Sequence, residues 1–216
     1  MTRALAVIAL LATLAGVAAA APSREPKKAI KPAVQARAKR ILVSLKDLPG
    51  FGWKIGPSQA DRSSPHCSYY NPDRSKLTEN GDFNSPDFTR PDGMYVSSAV
   101  GIFVSAAQAR TAFSAVVRPE LARCLGEIVA KSGAPGHITV HSAGTLAFPH
   151  HGDRSAAYRV VFYVKSGKNL IPATIDLVAI NESGVDAAIF FGAAGQPVPA
   201  VFERQIVGRV SARIAS

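Results

Sequence analysis

The clearest pattern along the chain is strict alternation of apolar and polar positions in its second half. In the stretch from Leu170 to Asn181, Ile171, Ala173, Ile175, Leu177 and Ala179 recur at every second residue. Tyr158, Val160, Phe162 and Val164 do the same within Arg154 to Lys165. A period of two puts each set on one face of a β-strand. His137 to Phe148 and Val185 to Gly192 read as further strands. Ser166-Gly167 and Ser183-Gly184 separate neighbouring strands by short glycine-containing turns, which are hairpin signals, so these strands are expected to run antiparallel. Earlier, Met94 to Val104 alternates with Val96, Val100, Ile102 and Val104 on one side, and Phe83 to Thr89 reads as a weak, proline-interrupted edge strand.

Elsewhere the period lengthens to three and four. Val34, Ala38, Ile41, Leu42 and Leu45 mark a first helix, ended by Pro49-Gly50. Ser105 is an N-cap residue ahead of a helix whose stripe is Ala109, Ala112, Phe113, Val116 and Val117. Pro119 interrupts that ladder and suits the start of the next helix, which carries Leu121, Cys124, Leu125 and Ile128 on one side. A last helix runs from about Pro199 to Ala215, with Val201, Phe202, Ile206, Val210 and Ile214 inward and Arg204, Arg209 and Arg213 outward. The order helix, two strands, helices, four strands, helix predicts an α+β fold: an antiparallel sheet of five to six strands flanked by helices in a two-layer sandwich. Residues 49 to 82, rich in Gly, Pro, Ser, Asp and Asn, read as a long ordered loop.

The beginning of the chain has a different character. Arg3 precedes an apolar run from Ala4 to Ala21 that ends in four alanines before Pro22. That is the charged, apolar, small-residue order of a secretory signal, which assigns residues 1–21 to a cleaved leader and the chain to a secreted, extracytoplasmic location. The alternative is retention as an anchor, since about 18 apolar residues sit at the lower limit for spanning a bilayer. Residues 22–32, with three prolines among charged groups, read as a basic linker, and 33–216 as one domain.

Charge changes the picture less than the net value of +10 suggests. Arg24, Lys27, Lys28, Lys31, Arg37, Lys39, Arg40 and Lys46 against Glu25 leave residues 47–216 nearly neutral. The basic segment suits weak contact with an anionic surface or plain solvation. Nucleic-acid binding is not expected, because the body lacks basic residues interleaved with stacking aromatics.

Cys67 and Cys124 are the only cysteines. Two thiols in an oxidising compartment are expected to pair, closing a loop of nearly 60 residues for roughly 4 kcal/mol of loop-entropy stabilisation. The bridge would pin the Gly/Pro/Ser-rich loop onto a helix. No Gly-x-Ser-x-Gly elbow, phosphate loop or His-Glu-x-x-His motif occurs, and no cofactor or metal is expected. His150, His151 and Asp153 share one turn. They are the residue types that hold zinc, but adjacent loop residues seldom converge on one ion, so a solvated polar turn is expected. The single tryptophan lies in Leu48-Pro49-Gly50-Phe51-Gly52-Trp53, either at the lip of an apolar pocket or as a lid on the core.

Asp47-Leu48-Pro49-Gly50-Phe51, Ser97-Ser98-Ala99-Val100, Ala106 to Phe113 and Leu121-Ala122-Arg123-Cys124-Leu125 together resemble exported actinobacterial proteins related to the PknH-like extracellular sensor domain and to LpqN-type lipoproteins. The resemblance covers roughly residues 40 to 215. It implies an antiparallel sheet flanked by helices, with a cleft for a small or apolar ligand. The chain departs from that pattern in having cysteines for one disulfide rather than two, no lipid-anchoring cysteine and no kinase domain. No catalytic residue carries over.

These readings favour a non-enzymatic envelope module whose ligand cleft, between sheet and helix, is lined by Trp53, Phe103 and Phe162. The alternatives are a hydrolase with a site around His150, His151 and Asp153, and a structural envelope protein tethered by its basic arm. Mass analysis of protein from its own host is expected to find a chain beginning after Ala21 with no thiol that alkylates without reductant. An intact start with two reactive thiols would refute both export and the bridge.

Overall fold

The structure, a computed structural model, describes residues 24–58 and 64–216. The expected leader, residues 1–21, lies outside the described residues. In chain order the elements are β1 (Lys27–Lys28), α1 (Pro32–Ile41), a short 3-10 turn (Leu45–Asp47), β2 (Lys54–Ser58), β3 (Thr78–Asn84), β4 (Pro86–Thr89) and β5 (Tyr95–Phe103). Then come α2 (Ala106–Val116), α3 (Glu120–Lys131), β6 (Ile138–Thr145), β7 (Arg154–Ser166), β8 (Asn169–Glu182), β9 (Val185–Ala194) and α4 (Ala200–Ala215).

The strands form one nine-stranded sheet in the order β1-β3-β5-β9-β8-β7-β6, with β2 on β4 and β4 on β5. The expected hairpins are present. β7 and β8 pair from Arg154↔Asn181 to Ser166↔Asn169. The turn into β9 places Ser183 at φ 48° and Gly184 at φ 88°, the two left-handed positions that a tight hairpin needs. The only parallel pairing among these strands is β1 with β3.

The sheet is covered on both sides. On one face, Ala38 and Ile41 of α1 and Phe202, Ile206, Val210 and Ile214 of α4 pack with Val96, Val100, Val178, Ile180, Ile189 and Phe191. On the other, Val129 of α3 packs with Val160 and Phe162, and Leu121 and Cys124 with Tyr158 and Leu177. Ala109 and Ala112 of α2 pack with Phe103. Because Leu177 and Val178 are consecutive in a strand, they necessarily point to opposite faces.

Two expectations are thereby corrected. The sheet has nine strands, not five or six, and it sits between two helical layers rather than under one. Apart from β1, the extra strands arise in residues 49 to 82, with β3 running on to Asn84. β3 reads Thr-Glu-Asn-Gly-Asp-Phe-Asn, a sequence of low β propensity held extended by its pairing with β5. Residues expected to form a linker are also drawn in: β1 lies against β3, and Pro26 is buried. Three positions assigned to apolar stripes turn out exposed: Leu45 at 44%, Val104 at 45% and Val201 at 67%. α1 ends at Ile41, before Leu45, and Val201 occupies the first turn of α4.

The expected disulfide joins Cys67 to Cys124 with their Cα atoms 5.8 Å apart. It pins the loop to α3. Tyr70 is buried beside it and donates its hydroxyl to the Val116 carbonyl at the end of α2. At the other side of the molecule, Arg213 of α4 caps α1, donating to the Ile41 and Leu42 carbonyls and to Asp47 at 2.8 Å.

One polar cluster is buried between α4 and the sheet. Arg159 of β7 makes two bonds of 2.6 Å to the fully buried Asp176 of β8. Glu203 is also fully buried and lies 3.9 Å from Arg159. Burial, and then its hydrogen bond to Asp176, pushes the Glu203 carboxyl well above its ordinary value of 4.5. The folded protein therefore keeps a proton that the unfolded chain releases, and stability falls as pH rises above the ordinary glutamate range. Glu203→Gln keeps a donor for Asp176 without the proton. It is expected to melt no higher than wild type near pH 4 but several degrees higher near pH 8, on the order of 5 °C. Thermal melts across that range check this, and a gap independent of pH would refute the assignment.

Candidate functional site

A cleft of about 160 Å³ opens on the α2–α3 face of the sheet. Its floor is Ala99 and Gly101 of β5, Ala188 and Phe190 of β9 and Leu177 of β8. Small residues on β5 and β9 leave the space. The roof is apolar, from Phe113 and Val116 of α2, Val117 and Leu121. Pro119 stops α2 from running into α3, so the helices meet at a break above the strands. A cavity of about this size admits one benzene ring, whereas drug-sized ligands occupy several hundred Å³.

The rim is ionic. Lys28 of β1 bonds to Glu79 and Asp82 of β3. Arg74 bonds to Glu25, which also accepts the Ser64 backbone N–H at 2.8 Å. The N-terminal segment is thus strapped across the mouth. Gly101 makes this possible, because a Cβ there would stand 2.8 Å from the Glu79 carboxylate. Burial raises the Glu79 carboxyl above its usual range, against the pull of Lys28.

Asp186 of β9 lines the same cleft. Burial pushes its carboxyl up to about 7, opposed by a hydrogen bond from Asn181 at 2.5 Å and by the charge of Arg74. Among the described residues it makes no ion pair. The Nε of Arg74 is buried without a hydrogen-bond partner. The cleft therefore offers an apolar roof, an excess of carboxyls over cations, and one carboxyl that titrates near neutrality. Such a group can take up a proton or accept a cationic group.

None of the aromatics expected to line a cleft is here. Trp53 lies on the opposite face, stacked on Phe202 of α4 with ring centroids 5.9 Å apart. Phe103 is buried under α2 with Leu77, Ala109 and Ala112. Phe162 is buried under α3 with Val129 and Val160. The three sit in separate clusters, because adjacent helices and opposite sheet faces divide them. His150 is exposed, His151 packs on Phe148 with centroids 6.1 Å apart, and Asp153 accepts the Ser183 N–H at 3.3 Å. Among the described residues no three His, Cys, Asp or Glu side chains are placed to hold a metal. The residues that sequence reasoning missed are Lys28, Arg74, Glu79 and Asp186. Only Asp186 left a signal, as an acid interrupting an otherwise apolar strand.

No protein-family model matches the chain, and no curated protein does. Among solved structures, the extracellular domain of PknH from Mycobacterium tuberculosis aligns over 86% of this chain and 99% of its own, at 10% identity and a TM-score of 0.50. This chain is similar in fold to the PknH extracellular domain. LpqN from the same organism, described as involved in cell envelope biogenesis, aligns over 76% of this chain and 79% of its own at 8% identity and a TM-score of 0.33. The PknH match is of fold, at an identity too low to carry residues across.

Because Asp186 holds its proton to about pH 7 when folded and its ordinary value is 3.8, ionisation costs the native state stability progressively between those values. Asp186→Asn is expected to melt like wild type near pH 4 and higher above pH 7, by on the order of 5 °C. Equal melting temperatures at alkaline pH would show that the carboxyl ionises without penalty.

Proposed function

We propose that this chain is an exported, non-catalytic binding or interaction module of the bacterial envelope, taking a small ligand with an apolar body and a cationic group. The observation that carries the reading is the fold shared with an extracellular domain over 86% of the chain. The disulfide and the leader-like order of residues 1–21 support an extracytoplasmic location. No helix among the described residues is long and apolar enough to cross a membrane.

The ligand class follows from the cleft. Its apolar roof favours a ring or short branched chain, and its volume admits one such group. Glu25, Glu79, Asp82 and Asp186 outnumber Lys28 and Arg74, which favours a cation over an anion. The Lys28 charge is spent on Glu79 and Asp82, so contact of the basic arm with an anionic surface falls to the remaining basic residues of the arm.

Benzylamine and benzyl alcohol are suitable probes, because they share a ring and differ in charge. With the mature protein at about pH 8, where Asp186 is ionised, the amine is expected to shift the NMR signals of cleft residues at millimolar concentration, with the alcohol about tenfold weaker. Ala188→Leu, which fills the floor, is expected to abolish the shift while the fold survives. No shift from either probe would sink the cleft as a binding site.

A further inference from the structure

Phe51 is 98% exposed, the most exposed of the large apolar residues among those described. Its exposure is built in. Gly50 and Gly52 on either side have φ 83° and 86°, a backbone region that disfavours residues with a Cβ. Beneath the tip the loop is braced. The Trp53 indole N–H donates to the Pro49 carbonyl at 3.0 Å, and the ring is held between Phe202 and the Arg90 guanidinium, 5.0 Å from its centroid. Arg90 is itself fixed by Asp92 at 2.9 and 2.7 Å. A ring held out on a rigid loop does not collapse onto the body.

The surroundings are apolar at the surface and basic around it. Ile55 is 60% exposed and Leu45 44%. Val201, beside the Phe202 that stacks under Trp53, is 67% exposed. Lys46, Lys54, Arg204 and Arg209 are exposed at this end, with Arg209 donating to the Lys46 and Asp47 carbonyls. Among the described residues, Asp47, Asp92 and Glu203 do not neutralise them, because Asp47 is engaged by Arg213, Asp92 by Arg90, and Glu203 is buried.

We infer that this end of the molecule docks on an anionic lipid bilayer, with Phe51 entering the interface and the lysines and arginines around it meeting the headgroups. An apolar tip accompanied by exposed lysines and arginines matches a surface that is negative outside and apolar just below. An acidic protein face would satisfy the charges but offers no general reason for a fully extended phenyl ring. The inference uses residues remote from the cleft and does not depend on the ligand proposed there.

Trp53 is the only tryptophan, so its fluorescence reads this loop directly. On adding vesicles of phosphatidylcholine with one third phosphatidylglycerol to the full mature chain, the emission is expected to shift to the blue and to be quenched by brominated lipid. Pure phosphatidylcholine is expected to bind about tenfold more weakly. Phe51→Ser should lose about tenfold in binding, and Lys46→Ser with Lys54→Ser a similar factor, with melting temperatures unchanged since all three side chains are exposed. Phe51→Ser binding as wild type would overturn the proposal, since it would leave the N-terminal basic segment as the cause. So would polyglutamate shifting the emission as vesicles do, which would point to an acidic protein partner.

Discussion

Everything in this fold follows from central strands that are apolar on both faces. β8 buries Leu177 and Ala179 toward one helical layer and Val178 and Ile180 toward the other, and β9 buries Val185, Ile189 and Phe191 on one side while Ala188 and Phe190 face the other. A strand of that kind cannot have a wet side. Helices must lie on both sides, and the chain supplies them as two pairs: α1 with α4, and α2 with α3. The same demand explains the ionic cluster of Arg159, Asp176 and Glu203. A carboxylate at a central position of β8 meets no water, so it requires a guanidinium and a protonated neighbour.

The other pair of helices covers its face less completely, and the cleft is the consequence. α2 and α3 are separate helices because Pro119 divides them, and the strands below carry Ala99, Gly101 and Ala188 where larger residues would fill the gap. What closes the mouth is chain from elsewhere: the N-terminal segment through Glu25 and Lys28, and the loop tied down by the Cys67–Cys124 bridge. The disulfide therefore matters beyond loop entropy, since it ties down the loop that forms one wall of the cleft where Glu79 and Asp186 face open space. Among those acids, Asp186 is set apart by having an amide rather than a cation as its bonded partner.

The two faces serve different ends of the molecule. The cleft, with its excess of carboxyls, belongs to the α2–α3 side. The Trp53 loop, with its basic surroundings, rides on α4 at the other. Charged residues scattered along the chain are thus sorted by the fold into an acidic recess and a basic, apolar-tipped surface.

The long strands and the four helices were legible from period, because burying one face of β7 or one stripe of α3 requires apolar residues at fixed intervals, and the antiparallel hairpins from their short glycine-containing turns. The partnership of Cys67 and Cys124 was legible too, there being no other choice. The extended state of β1, β2 and most of β3 was not, whereas β4 lies within the edge strand expected over Phe83 to Thr89. Thr78 to Asn84 has no strand character of its own and becomes one by pairing with β5, a contact between distant segments that local pattern does not encode. The site was hidden for the same reason. Trp53, Phe103 and Phe162 looked alike as apolar aromatics, yet which face and which helix covers each is a property of the assembled sheet. Lys28, the Arg74–Glu79 stretch and Asp186 lie far apart along the chain and meet because β1 adds to the edge beside β3 and β3 joins β9 through β5. Composition and period determined which segments must be buried. Only the packed structure decided which charges are buried with them.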